Sequence, residues 1–241
     1  MLVTKTPISG QRDIVHHIIA SDFPIDTLLD IGTGNGAAAR LFRDAGIKVT
    51  ATGFDIDEYS DHREADFEGI DLFPDVDICD MSVFPDDSFG AIWCAHVLEH
   101  VLDTGRALQE IRRILKPDGY FFVSVPPFKH EVVGGHIHPG WNPGILMYVL
   151  AVSGFDLSVS SFIRHGYNVC GLVRNGPDLW PNIRLHFSNG DIETLQRHGR
   201  FPEGFDAKQG FDGNFKSFNW HWLVEPEFKA TPFPMQKYPE K

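Results

Sequence analysis

The stretch "LLDIGTGNGAAAR", residues 28–40, decides the fold. Three glycines, Gly32, Gly34 and Gly36, fall within five positions directly behind an apolar run that ends in Asp30. A strand that enters a helix through so bare a turn leaves amide N–H groups unpaired, lets a ligand approach the backbone, and aims the helix N-terminus at it. An acid at the strand's carboxyl end would repel a pyrophosphate and attract an ammonium group. The second acid, Asp55 in "GFDID", ends the following strand, where a carboxylate can accept both hydroxyls of a ribose.

Working outward, "TLLDIG" reads as a strand, "GAAARLFRDAG" as a helix closed by Gly46, and "KVTATGFD" as a second, β-branched strand, which together make a βαβ unit. Upstream, "ISGQRDIVHHIIASDF" places Ile8, Ile14, Val15, Ile18 and Ile19 at mostly helical spacing, as an amphipathic helix packed on the sheet. Downstream, short segments follow at "VDICD" and "GAIWCAHV", then a long helix over "DTGRALQEIRRILK" and a strong strand "GYFFVSVPP". Strands that alternate with helices imply a parallel sheet covered on both faces. A helix follows at "NPGILMYVLAVSG". The strands "FDLSVSSFIRH" and "NVCGLVRNG", joined by a short turn at Gly166, must pair antiparallel.

From about residue 176 the composition shifts to Gly, Phe and Trp without a clear period, as in "FPEGFDAKQGFDGNFKSFNWHW". The expected organisation is therefore a main domain over 1–175 and a loop-rich appendage over 176–241. The appendage aromatics could form a lid, a homodimer contact or a satellite core.

The 241 residues carry 21 Lys and Arg against 33 Asp and Glu, a net charge of −12, which disfavours nucleic acid as a partner. No stretch reaches the length of an apolar membrane span, and "MLVTKTPISGQRD" has no signal-peptide core, so the expectation is a soluble, cytoplasmic protein without membrane association. Cys79, Cys94 and Cys170 are few, odd in number and far apart, as buried free thiols would be.

The segments "DIGTGNG", "GFDID", "ICDMSVFPDDSFGAIWCAHVLEHV" and "EIRRILKPDGYFFVSVP" resemble, in order and spacing, those of class I S-adenosylmethionine-dependent methyltransferases, the seven-stranded Rossmann-like class. The resemblance spans about residues 10–175. It implies an α/β fold: a seven-stranded, mostly parallel sheet with helices on both faces and the last strand antiparallel. It also implies S-adenosyl-L-methionine as cofactor. Asp30 with Gly32, Thr33 and Gly34 would then hold the amino-acid end, Asp55 the ribose and Ile56 the adenine, while Asp80 and Met81 would border the adenine's amino edge. The family's usual Phe-Asp before the fourth strand is Phe89-Gly90 here.

Two histidine-rich stretches, "AHVLEHV" and "PPFKHEVVGGHIHPGWNPG", follow the fourth and fifth strands, where this fold opens to its acceptor. On a helical turn, His96, Glu99 and His100 would share a face. Three readings stand side by side. The histidines cap and pack their loops; or His96 or His100 is a general base for a hydroxyl acceptor; or Glu99, His100 and a later histidine such as His136 grip a divalent metal. The last arrangement resembles the E-x-x-E-H of ubiquinone-pathway O-methyltransferases, with His96 in place of the first glutamate. The expected activity is methyl transfer to a small-molecule acceptor, through oxygen. The rivals are a non-catalytic cofactor-binding module and a nicotinamide-dependent oxidoreductase, since Gly32, Gly34 and Ala37 also satisfy G-x-G-x-x-A.

Overall fold

In the computed structural model, which describes residues 10–21, 23–53, 67–176, 190–202 and 204–220, the alternation read from the sequence becomes one eight-stranded sheet. In chain order the strands are β1 (Thr27–Ile31), β2 (Lys48–Gly53), β3 (Asp71–Pro74), β4 (Phe89–Ala95), β5 (Leu115–Val125), β6 (Asp156–His165), β7 (Asn168–Arg174) and β8 (Ser217–Phe218). Their spatial order is β3-β2-β1-β4-β5-β7-β6-β8. The strands β3, β2, β1, β4 and β5 run parallel, and β7 is antiparallel to both its neighbours, the tight Gly166 turn requiring this of its pairing with β6.

The helices are α1 (Gln11–Ala20), α2 (Ala37–Asp44), α3 (Thr104–Ile114), α4 (Pro143–Val152) and α5 (Asp191–Arg197). Side-chain alternation along the strands distributes them. Leu28, Ala91, Trp93 and Phe122 face one side, where Ile14, Val15 and Ile18 of α1 and Ala39 and Phe42 of α2 cover them. Leu29, Ile92, Cys94, Phe121 and Val123 face the other, under Leu108 and Ile111 of α3 and Leu146 and Leu150 of α4. Each strand of this central group is buried on both sides, so its sequence is a continuous apolar run and not an alternating one. Local chemistry sets the helix starts: the Asp103 carboxylate accepts from the Arg106 amide at 3.0 Å, and the Asn142 side chain from the Ile145 amide at 2.8 Å.

Two expectations are refined. The third strand is Asp71–Pro74, every residue of it exposed, whereas the segment at 76–80 is a turn in which the Asp77 carboxylate accepts from the Cys79 amide at 2.8 Å. At four residues, with Leu72 and Phe73 adjacent and both exposed, this edge strand is too short to show an alternating pattern. The region after 176 adds α5 and an eighth strand, β8, which pairs antiparallel with β6. There Phe205 packs against Phe201, Phe211, Phe215 and Phe218 with ring centroids 5.3 to 6.1 Å away. Leu195, Phe201 and Ala207 join the core.

Candidate active site

The strand order reverses between β1 and β4, and the crevice outside the carboxyl ends of the parallel strands at such a switch point is where this architecture binds ligands. Pairing sets Ile31 opposite Cys94, so the glycine turn after β1 and the histidine segment after β4 leave the sheet side by side.

The turn needs its glycines for two different reasons. Gly32 has φ +72°, and a Cβ there would lie 2.2 Å from Val97 Cγ2, so only hydrogen allows the turn to close on the β4 segment. Gly34 has φ +55° and open space where its Cβ would be, which leaves the backbone bare toward the crevice. The amides of Gly32 and Thr33 both donate to the Thr52 carbonyl at the end of β2, at 2.7 and 3.0 Å.

Asp30 lies beneath this turn, only 2 % exposed. Its Oδ2 accepts from the Thr33 hydroxyl at 2.8 Å, and the Ala39 amide also donates to its carboxylate. Burial outweighs those two hydrogen bonds and pushes its pKa up to about 7. The carboxylate therefore holds the turn itself, and its burial favours the protonated form. Asp80 and Met81 follow β3. Asp80 is exposed, while Met81 is buried and held by α3: its amide donates to Glu110 at 3.0 Å and its carbonyl accepts from Arg113 at 2.9 Å. Asp55 and Ile56 lie outside the described residues.

After β4 the chain turns sharply. His96 has φ +54°, a left-handed conformation uncommon for a residue with a side chain, and Leu98–His100 form one 3₁₀ turn. That geometry brings the His96, Glu99 and His100 side chains together. Glu99 is fully buried, with His96 Nδ1 at 3.1 Å and His100 Nε2 at 3.9 Å from its Oε1. Neither carboxylate oxygen has an aligned hydrogen-bond donor among the described residues. Cys94 lies beneath, its thiol pushed well up by burial first, then by the charges of Glu99 and Asp30, so both acids act on one buried point between the two segments.

The loop after β5 folds over this turn. The amides of Ile137 and His138 donate to the Glu99 carbonyl at 2.7 and 3.3 Å, and the loop's ends are clipped by Phe128 N to Trp141 O and Trp141 N to Pro126 O. His136 thereby meets His100, ring centroids 5.0 Å apart, and ligand atoms of Glu99, His100 and His136 all lie within 4.8 Å of one another. His138 is taken up elsewhere, its Nε2 between the Thr104 hydroxyl and the Val101 carbonyl.

Hydrogen bonding decides what each histidine can do. The Asn168 amide nitrogen donates to the His165 carbonyl, so its Oδ1 is the atom that accepts from Ser124 Oγ at 3.1 Å and from His96 Nε2 at 2.9 Å. His96 thus carries a proton on Nε2 and turns Nδ1 to a carboxylate, which leaves no nitrogen for an acceptor. His100 is the opposite case. Its Nδ1 donates to the Gly135 carbonyl at 2.7 Å, so its Nε2 holds the lone pair, on a side chain 48 % exposed. Asn168, Ser124 and the Gly135 carbonyl carry no sequence signal, because they reach the site from distant strands and a loop.

Comparison with known proteins identifies the family. A family profile described as a methyltransferase domain matches residues 29–123. The demethylmenaquinone methyltransferase of Paenarthrobacter aurescens is 30 % identical over 184 residues, 70 % of this chain and 68 % of that protein. The 27-O-demethylrifamycin SV methyltransferase of Amycolatopsis mediterranei is 33 % identical over 100 residues, 39 % of this chain and 36 % of that protein. In three other curated relatives the match covers 26 % to 66 % of their length. In fold, the Burkholderia thailandensis 1,6-didemethyltoxoflavin-N1-methyltransferase, solved with 1,6-didemethyltoxoflavin and S-adenosylhomocysteine, aligns with a TM-score of 0.53 at 19 % identity over 68 % of this chain and 76 % of that one.

Proposed function

This chain belongs to the class I S-adenosylmethionine-dependent methyltransferases, and we propose that it moves a methyl group from S-adenosyl-L-methionine to a hydroxyl of a small-molecule acceptor. The observation that carries this is the pairing, across the β1/β4 switch point, of a bare glycine turn over a buried Asp30 with a histidine whose lone pair is free. When bound, the cofactor supplies a methyl on a positively charged sulfur, open to in-line displacement by an acceptor lone pair.

The residues divide the work. Asp30 and the Gly32-Thr33-Gly34 turn hold the cofactor's amino-acid end, with the Asp30 charge balancing its ammonium group. Asp80 and Met81 border the adenine, and Asp55 and Ile56 are assigned to the ribose and the ring. Val97 packs against Gly32, so the acceptor side cannot shift without moving the cofactor side. His100 Nε2 receives the acceptor's proton, and the Gly135 carbonyl fixes the tautomer that allows it. His96 is anchored through its Nε2 to Asn168, and we assign the base role to His100 and not to His96.

A second reading has its own observation. The Glu99 carboxylate is buried without an aligned donor among the described residues, beside a His100 held in the ligating tautomer and next to His136. This donor set fits a divalent cation of the nitrogen-tolerant kind, with Glu99, His100 and His136 as ligands. Bound there, a cation would lower the pKa of an acceptor hydroxyl.

Calorimetry with S-adenosylmethionine and methyl transfer across a hydroxyl-bearing acceptor library, with and without EDTA, test both readings. Binding that His100→Ala leaves intact, with turnover lost, supports the base. Turnover lost to EDTA and restored by one divalent ion supports the metal. Affinity for NADH and none for S-adenosylmethionine would remove the reading altogether, and cofactor binding with no methyl released would leave a non-catalytic module.

A further inference from the structure

The stretch after β3 is held by α3 in a way that the methyl-transfer reading does not use, with Asp80 between two pinned peptide groups. On one side the Cys79 carbonyl accepts from Arg106 Nε at 3.1 Å, and on the other the Met81 amide donates to Glu110 Oε2 at 3.0 Å. Arg106 and Glu110 are themselves paired one helical turn apart, Nη2 to Oε1 at 3.1 Å. Arg113 completes the clamp: it pairs with Glu110 Oε2 at 2.8 Å and donates to the Met81 and Phe84 carbonyls at 2.9 and 3.0 Å.

Glu110 is 5 % exposed, and the Arg113 guanidinium holds its carboxyl below the usual carboxylate range, so it is a buried charge. A buried ion pair is a poor way to gain stability, since apolar side chains of similar volume often do as well or better. What it supplies here is direction. A peptide group is planar, so fixing the groups on both sides of Asp80 fixes its φ and ψ and the line along which its side chain leaves the backbone. A local turn adds to this: the Asp80 amide donates to the Asp77 carbonyl at 2.9 Å, and Asp80 Oδ1 accepts from the Ser82 amide at 3.3 Å. Asp80 is nonetheless exposed. An exposed carboxylate on a backbone fixed from within the fold is aimed at something outside it.

We propose that Arg106 and Glu110 are positioning residues: through the Cys79 carbonyl and the Met81 amide they hold the Asp80 carboxylate for the exocyclic amino group of the cofactor's base, and so set a preference for adenine over hypoxanthine. This rests on the methyl-transfer reading and its placement of Asp80, and it adds the residues that make that placement selective. An amino group donates to a carboxylate, whereas the oxo group of hypoxanthine brings a second acceptor against it. A fixed carboxylate therefore separates the two bases by about tenfold or more, and one free to turn away does not.

The test titrates the full chain with S-adenosylhomocysteine and with S-inosylhomocysteine, in which hypoxanthine replaces adenine. Wild type should bind the first about tenfold or more tightly. Arg106→Met and Glu110→Ala should bring that ratio to within about threefold, chiefly by weakening S-adenosylhomocysteine. Glu110→Gln, whose amide oxygen still accepts from the Met81 N–H, should keep most of the preference, and Asp80→Ala should erase it. The Arg106 side chain is 51 % exposed, so Arg106→Met carries the test alone if Glu110→Ala does not fold. A contact that serves folding only would lower the thermal midpoint and weaken both ligands alike. An unchanged ratio in Arg106→Met and Glu110→Ala, beside a ratio lost in Asp80→Ala, would thus overturn the proposal and leave the cofactor reading standing. A ratio that survives Asp80→Ala, or equal binding of the two ligands by wild type, would overturn the proposal together with the placement of Asp80. No binding of S-adenosylhomocysteine to wild type would remove the methyl-transfer reading and the proposal with it.

Discussion

Replacing Asp30 with asparagine should separate what this carboxylate does for folding from what it does for binding. The folded-state pKa is about 7, against 3.8 for an ordinary aspartate. If the ionised form holds the cofactor's ammonium group, affinity follows the ionised fraction, which rises from about 0.09 at pH 6.0 to about 0.76 at pH 7.5. With the ligand's α-amino group, pKa about 7.7 to 8.0, already partly deprotonated at pH 7.5, wild-type affinity for S-adenosylmethionine should grow about five- to sixfold over that interval, about 1 kcal/mol. The window stops at pH 7.5 because above it the loss of the ligand's α-amino proton offsets the further ionisation of Asp30. The asparagine side chain would still accept from the Thr33 hydroxyl, so the turn should keep its shape while the pH dependence disappears. Stability should move the other way. Between 3.8 and about 7 the folded wild type holds a proton that the unfolded chain has released, so its stability falls as pH rises through that window and is level above it. The full cost is on the order of 4 kcal/mol, from about three pKa units at 1.36 kcal/mol each. Asp30→Asn should thus be more stable than wild type at pH 7.5, by denaturant titration, and nearly equal to it at pH 4. An affinity that is flat across pH 6.0 to 7.5 in wild type, or a slope that persists in the variant, would refute the assignment of charge to Asp30.

Two further outcomes follow from the geometry. Gly32→Ala puts a methyl 2.2 Å from Val97 Cγ2 on a backbone at φ +72°, and should lower stability by about 2 to 4 kcal/mol with loss of cofactor binding, whereas Gly34→Ala, in open space, should cost about 1 kcal/mol; denaturant titration of the pair checks the difference. Asn168→Ala removes the acceptor for both Ser124 and His96 and should cost about 2 to 4 kcal/mol in thermal unfolding; an unchanged midpoint would show that water replaces it without penalty.

How much of this was legible beforehand depends on how far apart the partners lie in the chain. The glycine turn, the βαβ unit and the β6/β7 hairpin are local patterns, each written in a few dozen residues at most, and their periodicity and turn chemistry placed them. The grouping of Glu99, His100 and His136 came from proximity to two strand ends, and the structure brings those three together. What the sequence could not supply are contacts made across the sheet. Asn168 meets His96 only because β7 inserts beside β5, and this contact is what occupies His96 Nε2. Asp30 is similar: its position at the end of β1 was readable, but its burial under Thr33 and Ala39, and so its raised pKa, depends on how the helix packs back over the turn. Strand β3 is invisible for another reason, since four exposed residues with only Leu72 and Phe73 apolar are too few to show a period.

The two rims of the sheet end in different ways. On one, β3 is short and stops at Pro74, a residue that cannot donate to a further strand. On the other, the outer edge of the ten-residue β6 is met, among the described residues, by Ser217 and Phe218 of β8 and by Lys216 and Asn219 beside them. Two residues of β8, anchored by the Phe205 aromatic knot, thus occupy hydrogen-bonding positions of β6 at Phe162 and Ile163 that an edge strand would otherwise hold out to another chain.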